Sequence, residues 1–234
     1  LSMRMTLVPL LALWSAPVVV AAVMLQDGGY IQEKDEEYFG GVPLYTQADA
    51  AACMGLFQGK DYNAWFDVAP STGSGQGRVR AQFLDAGHIL GAAMIVLEVD
   101  MAVAEGEEKA PSPNIRIGFT GDLGRSMLPI IRDPAPMPPV DVLITESTYG
   151  DRKHEGAATA RHHLEEVIVR TAERGGKVLI PAFSLERTQE IVYDCHLLWD
   201  ARRIPPVPIF IDSPLASRVT EIFQKHPECY DHAV

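Results

Sequence analysis

From residue 141 onward three apolar runs recur: DVLITESTYG (141–150), KVLIPAF (177–183) and VPIFIDSP (207–214). Each is followed by a stretch with helical periodicity, which predicts helices near 155–174, 186–200 and 214–225. Short apolar runs of this kind read as strands buried on both faces. Strand–helix–strand alternation in turn implies a parallel sheet covered by helices. A buried strand of such a sheet presents polar groups at its carboxyl end, and DVLITESTYG ends in TESTYG.

The first half of the chain reads differently. VRAQFLDAG, AAMIVLEVD and IRIGFTGDLG alternate as strands of hairpin-like β structure. STGSGQG (71–77) is a flexible turn and AEGEEKAPSPN (104–114) an exposed hairpin loop. MLPIIRDPAPMPPV, with five prolines in 14 residues, is an irregular connection. Upstream, QDGGYIQEKDEEYF is polar and acidic. Apolar residues after Ala48 fall at helical spacing, with Thr46 as the cap of that helix and Asp49 three residues on. The architecture changes near residue 150 without a flexible linker. At the N-terminal end, residues 5–25 form 21 residues without a charge. Their length suits a membrane span or a signal peptide, or else a buried piece of a soluble domain.

A formal net charge of −11 argues against a broad basic surface for coating nucleic acid. It leaves room for a nuclease, because bound metal ions and a local basic groove hold phosphate on an acidic protein. Cys53, Cys195 and Cys229 are odd in number and widely spaced, which reads as free thiols in a reducing compartment. The expected location is the cytoplasm, with export or membrane tethering as the alternative if the apolar run is a targeting segment.

Three strand ends carry an acid or a histidine in small-residue turns: DAGHILG with His88, TGDLGR with Asp122 and TESTYGDR with Glu146. Imidazole and carboxylate donors at neighbouring strand ends are the raw material of a divalent-metal hydrolase site. Glycines beside His88 and Asp122 allow tight turns that aim both side chains at one pocket. His88 would supply a nitrogen ligand and Asp122 a bridging carboxylate. Glu146 would accept a hydrogen bond from a ligand or a metal-bound water. Each also has a plain structural reading: a turn histidine, an Asx turn-former, a buried ion-pair partner.

Taken in order, DAGHILGAA, FTGDLGR, LITESTYGDRKH, IPAFSLERTQE and IDSPLA resemble the metallo-β-lactamase superfamily. Within it they resemble the β-CASP subgroup of RNA-processing nucleases, related to the cleavage-and-polyadenylation endonuclease. The likeness runs from about residue 22 to the end, and ESTYGDR with DSPLA is its most specific part. The resemblance implies an α/β fold: an incomplete αββα metallo-β-lactamase domain over 1–185, running into the start of a β-CASP domain over 186–234 with parallel sheet and flanking helices. It implies two Zn2+ ions per complete site, His88 as ligand of one, Asp122 bridging both, and Glu146 as an acid beside them. The substrate implied is RNA, cleaved at a phosphodiester bond, with Arg187, Ser213 and His154 as candidate substrate contacts. Arg187 is equally an ion-pair residue at a helix start.

The resemblance is partial. The subgroup's His-x-His-x-Asp-His cluster is not in this sequence, the resemblance places two further histidines beyond residue 234, and no role is argued for His226 or His232, so only His88 and Asp122 remain of the expected metal ligands. Three readings follow: a piece of a zinc-dependent ribonuclease, a metal-free scaffold subunit of an RNA-processing complex, or a DNA-processing member of the subgroup. A homodimer is a further possibility. His162 and His163 read as a solvated helix face, His196 as a core or boundary histidine, and Cys195 as packing.

Overall fold

A computed structural model describes residues 16–69, 78–100, 114–153 and 156–231. The turn at 71–77, nearly all of the 104–114 loop, His154 and the first part of the apolar run lie outside these residues. The chain forms two compact units, 1–61 and 62–234.

The first unit is a pair of helices, α1 (Ala16–Phe39) and α2 (Gln47–Cys53), ending in a short 3-10 turn. Thr46 caps α2 as its spacing predicts. Its hydroxyl accepts Asp49 N–H, and Asp49 accepts Thr46 N–H in return, so two donors that helix geometry would orphan are satisfied. Glu33 on α1 accepts the backbone N–H of Gln47 and so ties α1 to the start of α2. The later part of the apolar run, Ala16–Leu25, is the beginning of α1. Among the described residues no helix is long and apolar enough to cross a membrane.

The second unit is built on a five-stranded sheet in the order β1-β2-β3-β4-β5: Trp65–Ala69, Val79–Asp85, Ala93–Asp100, Asn114–Phe119 and Val142–Ile144. The first three pairings are antiparallel and β4–β5 is parallel. Alternation works as expected on β3, where Met94, Val96 and Glu98 share the buried face. Leu84, Ala86, Met94 and Val96 form a core that the proline-rich connection covers with Ala135, Met137 and Val140. Glu98 is 3% exposed and sits opposite Arg80 on β2 and Arg116 on β4. Its carboxylate takes the guanidinium of both, so the buried charge is paired from two sides.

The helices of the second half form where the periodicity predicts: α3 (Ala157–Glu173), α4 (Arg187–Asp200) and α5 (Pro214–Lys225). α3 and α4 share a core of Ile168, Cys195, Leu198 and Ile204. α5 buries Ala216, Val219, Ile222 and Phe223 along one stripe. The strands between these helices differ from the expectation. KVLIPAF and the apolar part of VPIFIDSP adopt no strand pairing, and Leu179, Phe183 and Phe210 are largely exposed. β5 is an exposed edge rather than a buried strand, with Val142, Leu143 and Ile144 all open to solvent. A strand exists only through its neighbour's hydrogen bonds. β5 pairs β4 on one side, and on its other side the described residues supply no partner for the next parallel strand.

Candidate metal-binding turn cluster

His88 lies in the seven-residue connection between β2 and β3, which is held from several directions. Asp85 accepts Gly87 N–H as an Asx turn, and Ala86 N–H donates to Ala92 O. The Tyr62 hydroxyl donates to the same Ala92 oxygen. Burial raises the Tyr62 pKa, so the hydroxyl remains a donor. Gly87 and, in the next turn, Gly121 have positive φ, the conformations for which the sequence places glycine there.

The Asp122 turn follows β4 and stacks on the His88 turn. Gly124 N–H donates to Ala86 O at 2.9 Å. The backbones are so close that a Cβ on Gly124 would lie 1.5 Å from Gly87 O. Across this stack His88 Nε2 is 3.9 Å from Asp122 Oδ2, with the side chains 41% and 77% exposed. The third turn follows β5. Glu146 N–H donates to the Thr120 hydroxyl at 3.2 Å, and the Glu146 carboxylate accepts Leu123 N–H at 2.5 Å. The Leu123 N–H, with help from Thr148, holds the Glu146 carboxyl below its ordinary pKa, so it is an anion at neutral pH. The structure therefore brings His88 and Asp122 face to face, with Glu146 gripping the residue after Asp122.

The other residues singled out in the sequence have these partners, with His154 outside the described residues. Arg187 pairs with the buried Glu190 at 2.6 Å. Ser213 caps α5, accepting Ala216 N–H at 3.1 Å, and shares a hydrogen bond with Ser184. His162 lies on the open face of α3 beside Glu165 and Glu166. His196 is exposed next to Trp199 rather than in a core or at its boundary. Cys195 is buried and its pKa is raised by burial, the opposite of an activated nucleophile.

Two acids that the sequence reading passed over stand behind the His88 turn. Glu186 is 4% exposed, and its Oε2 accepts Leu90 N–H at 3.1 Å. Burial and the neighbouring Glu190 raise its pKa to about 8. Glu190 is also 4% exposed and raised by burial. ERTQE carries no sign of this, since acids at a helix start read as dipole partners in solvent.

The chemistry of the two facing donors suits zinc, which takes imidazole nitrogen and carboxylate oxygen. Donors about 2.1 Å from a tetrahedral zinc stand about 3.4 Å apart, so His88 and Asp122 need to close by only about 0.5 Å. Among the described residues no three His, Cys, Asp or Glu side chains are gathered as a metal site. Two donors are fewer than the four that a tetrahedral zinc takes.

Comparison with known proteins gives a consistent family. Residues 188–234 match the Beta-Casp domain. The chain is 31% identical over 210 residues to ribonuclease TTHA0252 of Thermus thermophilus, covering 90% of this chain and 42% of that protein. It is 33% identical over 195 residues to endoribonuclease YSH1 of Eremothecium gossypii, covering 80% of this chain and 23% of that protein. It is 31% identical over 186 residues to cleavage and polyadenylation specificity factor 73 of Drosophila melanogaster, covering 78% of this chain and 24% of the factor. The chain thus spans between 23% and 42% of the length of these relatives.

Proposed function

Since the chain belongs to the β-CASP subgroup of the metallo-β-lactamase superfamily, we propose that it is part of a zinc-dependent ribonuclease whose metal centre uses His88 and Asp122. The observation that carries this reading is the approach of His88 Nε2 to Asp122 Oδ2 at 3.9 Å on two turns stitched backbone to backbone. The relatives named as ribonucleases support RNA as the substrate. Zinc at such a site supplies a water ionised near neutral pH and neutralises charge on a phosphodiester.

His88 offers a ring nitrogen and Asp122 a carboxylate oxygen to the same small volume, and both side chains reach solvent. Glu146 holds the Asp122 turn through Leu123 N–H, so the Asp122 carboxylate, which would help hold the metal, keeps its direction. The remaining ligands come, in this reading, from parts of the protein outside the described residues. With a net charge of −11, RNA capture relies on a local groove and weakens with salt.

The test is RNA cleavage by the intact protein with and without a chelator, and with Asp122→Ala. Both treatments abolish cleavage if the reading is right, and about two zincs per chain are found by metal analysis. Cleavage that survives chelation overturns the metal mechanism. An intact protein that binds no zinc and cuts no RNA is instead the scaffold.

A further inference from the structure

Glu186 begins α4 in a backbone conformation that L-residues avoid, with φ 68° and ψ −62°. Arg187 N–H closes onto Leu185 O at 3.0 Å, making a γ-turn of the rare positive-φ type. Strain of this kind persists only where its surroundings over-determine it. The surroundings here are specific. The turn drives the Glu186 side chain inward until it is 4% exposed, with Oε2 on Leu90 N–H across 96 positions of sequence. Its other oxygen, Oε1, is buried with no hydrogen-bond partner among the described residues. A carboxyl in a solvated helix cap would stabilise the fold at less expense. The residue it holds, Leu90, lies two positions after His88.

We propose that Glu186 is a positioning residue for His88: from the strained turn that opens α4 it accepts Leu90 N–H and fixes the direction in which the His88 ring faces Asp122. The hydrogen bond links the start of the β-CASP segment to the turn that carries the candidate ligand. Without it, Leu90 N–H is a buried donor without an acceptor, and the connection from Ala86 to Ala92 is left with the turn bonds of Gly87 and Ala86, the Tyr62 hydroxyl and the Gly124 contact. The consequence for metal binding rests on the nuclease reading; the consequence for the turn does not.

The experiment uses three chains, wild type, Glu186→Gln and Glu186→Gly. Glutamine keeps an acceptor oxygen and matches the neutral carboxyl that burial favours. Glycine relieves the positive φ and removes the acceptor. Amide hydrogen exchange at Leu90 and the His88 ring nitrogen and proton shifts are read by NMR. In the intact protein, kcat and KM for RNA cleavage are read alongside. The expected result is Leu90 exchange at least tenfold faster in Glu186→Gly with displaced His88 ring signals, and both restored in Glu186→Gln. Correspondingly, kcat falls at least tenfold in the glycine variant with KM little changed, and glutamine recovers it. Should the glycine variant not fold, Glu186→Asp, too short to reach Leu90 from the same turn, takes its place with the same expectations.

Unchanged Leu90 exchange and His88 shifts in the glycine or aspartate variant overturn the proposal, as does a glutamine variant as perturbed as glycine. Failure of the nuclease reading looks different: wild type cuts no RNA, while the Leu90 and His88 signals still follow residue 186.

Discussion

Gly124 donates its N–H to the Ala86 carbonyl, and this one bond holds the Asp122 turn against the His88 turn. The site is a contact between two backbones before it is a contact between side chains.

Gly124→Ala is therefore expected to be far more damaging than a glycine-to-alanine change in an open loop. Its Cβ would meet Gly87 O, Gly87 C and His88 N at 1.5, 2.0 and 2.7 Å, all backbone atoms that cannot rotate away. A loss of about 3 kcal/mol or more is expected from overpacking of this severity. Gly156→Ala, where a Cβ meets nothing within 4 Å, is the control and should change stability little. Urea midpoints of the two variants measure the contrast.

Glu146→Ala should separate folding from function. The lost carboxylate frees Leu123 N–H to water at a half-exposed position, so the fold should survive. Asp122 then loses its fixed direction, and metal affinity of the intact protein should fall about 10–100-fold. A metal titration showing affinity within twofold of wild type would refute the role given to Glu146.

Glu186 makes a pH signature. Its folded pKa, about 8, lies above the ordinary 4.5. The folded chain therefore holds a proton that the unfolded chain has already released between these values. Its contribution to stability is complete below pH about 4.5 and is lost as pH rises through about 8. The limiting slope is about 1.4 kcal/mol per pH unit. Glu186→Gln lacks this dependence, so the stability of wild type relative to the variant should decline over that window. Parallel pH curves for the two chains, from chemical denaturation, would be the contrary result.

The arginine–glutamate–arginine ladder on the sheet predicts a non-additive pattern. Glu98→Ala leaves Arg80 and Arg116 facing each other over a buried position, with a cost of about 2–4 kcal/mol. Replacing all three by apolar residues of similar volume should recover much of that loss. Denaturation of the single and triple variants tests it.

How far the sequence revealed this arrangement depends on the range of the interaction. The Thr46–Asp49 cap, the three later helices and strands β2, β3 and β4 follow from neighbours within a few residues, and they stand where pattern and capping put them, whereas β1 (Trp65–Ala69) was not read from its sequence. DAGHILG and TGDLGR were legible as turns because glycine, aspartate and histidine have local reasons to be there. KVLIPAF and PIFI have strand composition, but strand formation is decided by a partner that local composition cannot supply. Glu186 was invisible for the same reason. Its burial comes from Leu90, 96 positions away, and from a positive φ that nothing in SLERTQE advertises. Arg187 shows the reverse case: both of its readings were open in the sequence, and the 2.6 Å approach to Glu190 favours the ion pair.

The exposed β5 edge and the unpaired apolar segments that follow it in the chain have a practical consequence for handling the polypeptide. Val142–Ile144 offers open hydrogen-bonding groups next to side chains that water solvates poorly, and Leu179, Phe183 and Phe210 add greasy surface of the same type. Purified by itself, the chain should stick to copies of itself in proportion to its concentration, first as soluble clusters and then as precipitate. A lysine placed at Leu143 would be the simplest remedy to try before any assay.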